Sequence, residues 1–400
     1  MTSEPSRRWS GRWGTAVEPP APTVEVLIPT IGRTAELAIT LAGLAAQDDP
    51  PFDVIVADQS PGFASEHEPG IRAMVRVLRA QGRRVDLVHR PERRGLAEQR
   101  QFLLDRSSAD YVLFLDDDVW TEPHLLSRLV GAIRALRCGF VGSAVQGLSY
   151  LDDRRPHETV TFEPWAGAVE PEVVRPGSPS HGRWPLHNAA NLAHLASTLE
   201  IERDGWIAYR VAWVGACVLF DREALVESGG FDFWAALPSE HSGEDVAAQW
   251  RVMERFGGAG IVPSGAVHLE APTTIADRRI DAARLLVKPV KPADPVPSVA
   301  GAGSARTNGP ASDHDGSEDP MSDVNTPLPF EGDPTVGDPL DATGDAIDVG
   351  QDTTIDDAGG DDVGDDAGDE DDRATEGDAG IGDAAPAGQD SAAAEANGLP

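Results

Sequence analysis

The 400-residue chain carries 67 Asp and Glu against 33 Lys and Arg; of its formal charge of −34, only −9 falls on residues 1–290 and −25 on residues 291–400. A chain this acidic lacks the basic surface that nucleic acid demands. Two apolar-flanked cysteines, Cys138 and Cys217, support neither a disulfide framework nor a cysteine zinc site, and the longest apolar stretch, Val211–Phe220, is too short to span a bilayer.

Residues 1–22 are charged but have no apolar h-region, so they are read as a disordered N-terminal segment and not as a signal peptide or anchor. Arg7, Arg8, Trp9, Arg12 and Trp13 allow at most peripheral contact with an anionic membrane face, and the expected setting is the reducing cytoplasm. From Val24 short apolar runs alternate with segments of helical period. VEVLI (Val24–Ile28) reads as a buried strand, Thr34–Gln47 as a helix, and FDVIVAD (Phe52–Asp58) as a second strand. A helix around Ile71–Gln81, the strand VDLVH (Val85–His89), the helix PERRGLAEQRQFLLDRSS and the strand YVLFLDDD (Tyr111–Asp118) follow. Thr121, Glu122 and Pro123 read as the capped first turn of the next helix.

Four strand–helix units in this order predict an α/β domain with a doubly wound, mostly parallel sheet flanked by helices. Ligands of such sheets bind past the carboxyl ends of the strands, which points to Pro29–Arg33, Asp58–Ser60 and Asp116–Asp118. Gly147–Tyr209 is irregular, with one helix expected around Leu186–Leu199, and reads as a substrate-facing insertion. Val211–Phe220 is strand-like, GEDVAAQWRVMERFG is the last strong helix, and Ile261–Glu270 is expected to return to the sheet. The globular domain is thus placed at 23–290, with a first half over 23–146 and a second half over 147–290. All nine Trp and all three Tyr precede residue 291, so 291–400 is read as a disordered, low-complexity acidic tail.

Three adjacent carboxylates, Asp116, Asp117 and Asp118, directly follow an apolar strand. Placing them there is costly without a counter-charge, and a hard divalent cation, Mg²⁺ or Mn²⁺, supplies one. The alternative is a solvated turn that caps the next helix. In extended geometry Asp116 and Asp118 share a face, so those two would meet one ion. His268, in AVHLE, is either a structural histidine or a nitrogen ligand suited to Mn²⁺. Glu244 and Asp245 open the last helix; Ser242-x-x-Asp245 matches a capping box, and either carboxylate also suits a general base. Arg94, Gly95 and Arg100 surround a helix start where phosphate or ribose can bind, or form a solvated basic face. Asp58 either accepts from a base or ribose or begins a turn. No GxGxxG follows the first strand and no GxxxxGK[ST] occurs, which removes dinucleotide and P-loop readings.

VEVLIPTIGR, VIVADQS, RRGLAEQR, LFLDDDV and GEDVAAQWR, in this order, resemble glycosyltransferase family 2, with some likeness to its galactofuranosyl- and rhamnosyl-type members. The resemblance spans about Val24 to Glu270 and implies a GT-A fold, with a nucleotide-sugar-binding half over 23–146 and an acceptor half over 147–290, and inverting transfer from a nucleotide-diphosphate sugar. It further implies that Pro29, Thr30 and Arg33 line the nucleotide pocket, that Asp58 contacts the base, and that Arg94, Gly95 and Arg100 form the donor-side wall. Asp116 and Asp118 match the metal-holding DxD position, with Asp116 and Asp117 facing the nucleotide-sugar. His268 matches a third metal ligand, and Asp245 the catalytic base with Glu244 beside it. The implied acceptor is a glycan, a lipid-linked group or a small molecule. The alternatives are a sugar-phosphate nucleotidyltransferase and a catalytically idle domain that presents the acidic tail to a basic protein partner.

Overall fold

A computed structural model describes residues 8–14, 20–275 and 278–286. The sequence-based division that places a tail at 291–400, and most of the N-terminal segment, therefore lie outside the described residues.

The domain opens with β1 (Val24–Thr30), whose seven residues are all buried and so place it inside the sheet. Its one charged side chain, Glu25, is satisfied by the backbone N–H groups of Ser108 (2.5 Å) and Ala109 (2.9 Å). Then come α1 (Thr34–Ala45), β2 (Phe52–Asp58), α2 (Ala64–His67), α3 (Pro69–Ala80), β3 (Val85–His89), α4 (Leu96–Arg106) and β4 (Tyr111–Leu115). Pro69 starts α3 where a missing N–H costs nothing. Leu37, Leu41 and Leu44 of α1 are buried against the sheet, and truncating one such leucine to alanine costs about 2–5 kcal/mol.

Beyond β4 the chain forms β5 (Val119–Thr121), α5 (Leu125–Leu136), β6 (Phe140–Gly142), β7 (Gln146–Gly147), α6 (Pro156–Thr159), a 3₁₀ stretch over Pro179–His187, α7 (Asn191–Ala196), β8 (Ile207–Tyr209), β9 (Cys217–Asp221), α8 (Arg222–Glu227), α9 (Glu244–Phe256), β10 (Gly258–Val262), β11 (Ala266–His268) and α10 (Ala282–Leu286). The main sheet has eight strands in the order β3-β2-β1-β4-β9-β6-β10-β8. The first four run parallel as expected, but β9 is antiparallel to both β4 and β6, and β8 is antiparallel to β10. The fold is therefore GT-A-like α/β, with a parallel first half and a mixed second half.

Several local expectations change. Val211–Phe220 is a strand only from Cys217, because α9 takes up the backbone groups ahead of it. Gln249 exchanges hydrogen bonds with Val214 N–H (2.7 Å) and Val214 C=O (2.8 Å), and Trp250 Nε1 donates to Ala212 C=O (2.9 Å). Ile261–Glu270 is split between two sheets, since β10 joins the large sheet whereas β11 sits between β5 and β7 in a three-stranded one. Thr121 lies in β5 and caps nothing: His124 precedes α5 in a left-handed conformation. The helix expected at Leu186–Leu199 is the 3₁₀ stretch followed by the shorter α7.

Candidate active site

A cleft of about 170 Å³ opens at the carboxyl ends of β1 and β4. Pro29, Thr30 and Arg33 line it from β1 and the start of α1, Asp116, Asp117 and Asp118 from the turn after β4, and Arg100 from α4. Glu244 and Asp245 enter from the first turn of α9, and His268 from the end of β11.

The triplet turn is built by its neighbours. Asp116 N–H donates to Ala216 C=O (2.9 Å), which ends β4, and the buried Thr40 hydroxyl donates to Asp117 C=O (2.7 Å) while accepting from Val119 N–H (3.1 Å). Gly43 lets α1 approach, because a Cβ there would stand 2.9 Å from Thr121 N. The three side chains then diverge. Asp117 accepts from the Thr30 hydroxyl (2.7 Å) and from Arg33 Nη1 (3.1 Å), and Asp118 from the same Arg33 nitrogen (2.6 Å). Asp116 instead turns to Arg100 Nη2 at 3.0 Å. The face shared by the first and third residues of an extended strand is absent, because residues 117 and 118 form a turn.

Burial, with Asp118 adding repulsion and Thr30 opposing, pushes the Asp117 carboxyl up to about 7. Burial and then Asp116 push Asp118 up to about 6, against Arg33. Asp118 thus holds less counter-charge than it needs, and with the Asp116 carboxylate lining the same cleft the two supply hard oxygen donors of the kind a divalent cation takes. His268 fits less well as a ligand. Its Nδ1 accepts from Glu270 N–H (2.9 Å), which puts the proton of a neutral ring on Nε2, the atom 3.4 Å from Asp118 Oδ2. Burial also lowers the His268 pKa. Among the described residues no group of three or more His, Cys, Asp and Glu side chains is arranged around one metal position.

Arg100 is buried, and its Nε lies 3.1 Å from Glu244 Oε1 while Nη2 holds Asp116. Burial raises the pKa of Glu244 against the pull of Arg100. Burial and then Glu244 raise that of Asp245, which forms no ion pair among the described residues. The capping box predicted at Ser242 is not made: Gly243, at φ +73°, is the N-cap and no side chain caps the helix. Ser242 instead bridges to Asp281, with its N–H on Ile280 C=O (3.0 Å) and its C=O accepting from Ala282 (2.8 Å).

Three expected residues stay outside the cleft lining. Asp58 is fully buried, with its oxygens taken up by the N–H groups of Ser60 (2.6 Å) and Ser65 (2.9 Å), so the turn reading describes it. Arg94 pairs on the surface with Glu92 at 2.7 Å, and Gly95 packs against His241. Conversely, Trp184, His187 and Trp213 line the cleft without a signal in the sequence. Trp213 sits in an apolar run that reads as a strand, and the other two lie in the irregular insertion.

Fold and cleft define a GT-A-like domain with an acidic cleft at its strand ends. Residues 25–184 match the family model described as glycosyl transferase family 2. A comparison with curated proteins finds no match. Among solved structures the chain is similar to residues 1–349 of S. aureus TarS (15% identity, TM-score 0.41, 62% of this chain and 60% of that one). It is also similar to the mannosyltransferase PcManGT from Pyrobaculum calidifontis in complex with GDP-Man and Mn²⁺ (17%, TM-score 0.40, 66% and 64%). In both cases the chain spans less than two thirds of the other structure's length.

Proposed function

We propose that the protein transfers a sugar from a nucleotide-diphosphate sugar to an acceptor hydroxyl with inversion, using a divalent cation, Mn²⁺ or Mg²⁺. The observation that carries this reading is the Arg100 bridge, which ties Asp116 of the acidic turn to Glu244, next to Asp245, within one cleft. The match of residues 25–184 to the glycosyl transferase family 2 model supports the reaction class.

Asp116 and Asp118 would hold the cation. Bound there, it would neutralise the diphosphate as it leaves the anomeric carbon. The chain's own residues do the rest. Arg33, fixed by two aspartates and by Pro272 C=O at 2.5 Å, presents positive charge beside the same position. His268 directs its Nε2 proton at Asp118 and so orients that carboxylate. Glu244 is neutralised by Arg100, which leaves Asp245 as the carboxylate open to take the acceptor proton. Its raised pKa brings it nearer the operating pH of a general base. A single base suffices, because the leaving group is a diphosphate and needs no proton from an acid.

No described helix is long and apolar enough to cross a membrane. We place the reaction at a glycan, lipid-linked or small-molecule acceptor in the cytoplasm. The test is release of nucleoside diphosphate from a panel of UDP-, GDP- and dTDP-sugars with Mn²⁺ or Mg²⁺. Turnover that Asp245→Asn removes supports the reading, and no release from any sugar under either metal rejects it.

A further inference from the structure

Helix α4 (Leu96–Arg106) carries Arg100 into the cleft, yet its N-terminus is poorly provided for by its own sequence. The N-cap is Gly95, which has no side chain to satisfy the first unpaired N–H groups, and no capping bond is made locally. The missing acceptor comes from 144 residues away: Ala97 N–H donates to His241 Nε2 at 3.2 Å. The other ring nitrogen, Nδ1, stands 2.8 Å from Pro238 C=O, which can only accept. The proton is therefore on Nδ1, and Nε2 presents a lone pair to the helix. His241 is 2% exposed. Burial lowers its pKa, opposed by the Pro238 carbonyl, so the neutral ring that this bond requires is the favoured form.

The close approach depends on Gly95. Its φ of +100° suits glycine, and a Cβ there would lie 2.4 Å from His241 Cε1 and 2.9 Å from Ser239 C=O. On its other side His241 is followed directly by Ser242, Gly243, Glu244 and Asp245. That loop is fastened by Ser242 to Ile280 and Ala282, and Gly243 has room for no Cβ beside Asp281.

We propose that His241 is a positioning residue for transfer: its imidazole caps α4 in trans and thereby fixes Arg100, on the donor side, against Glu244 and Asp245 on the acceptor side. The inference rests on the transferase reading for its kinetic consequence, but the cap itself can be measured without any substrate. Misplacing reacting groups by about 1 Å costs on the order of 100-fold in rate. His241→Leu should therefore lower kcat for release of nucleoside diphosphate about 10–100-fold, with the nucleotide-sugar KM changed less than about threefold. His241→Gln, whose Oε1 can accept from Ala97 N–H, should recover most of that loss.

The experiment measures kcat and KM for wild type and both variants on the best sugar of the UDP-, GDP- and dTDP-sugar panel, with hydrogen exchange at the Ala97 amide in parallel. The exchange arm should show faster Ala97 exchange in His241→Leu and protection restored in His241→Gln. Wild-type kcat in His241→Leu, or equal damage in both variants, overturns the proposal. If the wild type turns over no nucleotide-sugar, the transferase reading has failed, and unchanged Ala97 protection in His241→Leu would then overturn the cap as well.

Discussion

The Arg100 guanidinium sits between Asp116 Oδ1, at 3.0 Å, and Glu244 Oε1, at 3.1 Å, with its side chain only 6% exposed. One buried cation thus joins the acidic turn after β4 to the first turn of α9. Removing one partner from a buried ionic cluster leaves uncompensated charge and costs about 3–5 kcal/mol. Arg100→Met should lower unfolding stability in urea by that order. Lysine cannot reach two carboxylates from a planar fork, so Arg100→Lys should retain more stability and still lose activity. An Arg100→Met variant as stable as wild type would mean that the bridge does not hold the cleft together.

Asp245 should separate binding from chemistry. Asp245→Asn is expected to keep nucleotide binding while losing about 100-fold or more in kcat, within the usual contribution of a general base. Burial and Glu244 raise the Asp245 carboxyl, so the wild-type rate should rise with pH through a midpoint above the ordinary carboxylate range. Steady-state kinetics across pH checks both outcomes, and unchanged turnover in the variant rejects this residue as the base.

Asp118 and His268 should behave differently from each other. Asp118→Ala should abolish the rise in melting temperature that Mn²⁺ produces, because the cation loses a carboxylate. His268→Gln should weaken that rise without abolishing it, because the ring directs a proton at Asp118. Thermal shift against Mn²⁺ concentration distinguishes the two.

His187 offers a stability test independent of catalysis. Its Nε2 meets the Tyr209 hydroxyl at 3.1 Å, and burial lowers its pKa from 6.5 to about 4. Between those values the unfolded chain binds more protons than the folded one, so this group's contribution to stability is full above pH 6.5 and is lost as pH falls toward 4. The loss should amount to about 1–3 kcal/mol in the wild type and vanish in His187→Gln. Asp117 and Asp118, whose pKa values are raised, act with the opposite sign and cancel in the difference between the two proteins. Equal pH dependence in both proteins would contradict a neutral His187.

The first half of the fold was legible because its signals are local. Leu37, Leu41 and Leu44 mark a helix, and VEVLI and VIVAD mark strands that bury both faces. The second half was less so, because distant side chains decide it. Gln249 and Trp250 hold Val211–Ala216 out of strand geometry, and no period in that run reveals this. The acidic turn and the α9 pair were visible as clusters of carboxylates, whereas their pairing with Arg33 and Arg100 depends on how α1 and α4 pack. Asp58 stood at the right strand end but turns its oxygens inward to Ser60 and Ser65. Trp184 and His187 lie in an irregular insertion whose path was not readable from composition.

The central claim is that this cleft binds a nucleotide-diphosphate sugar together with a divalent cation. Its most direct test is the melting temperature of the full chain across UDP, GDP, dTDP and their common sugars, with and without Mn²⁺. The account predicts that one nucleotide family stabilises the protein, more strongly with Mn²⁺ than without, and that Asp118→Ala removes the difference. No stabilisation by any nucleotide, with or without the metal, would contradict it.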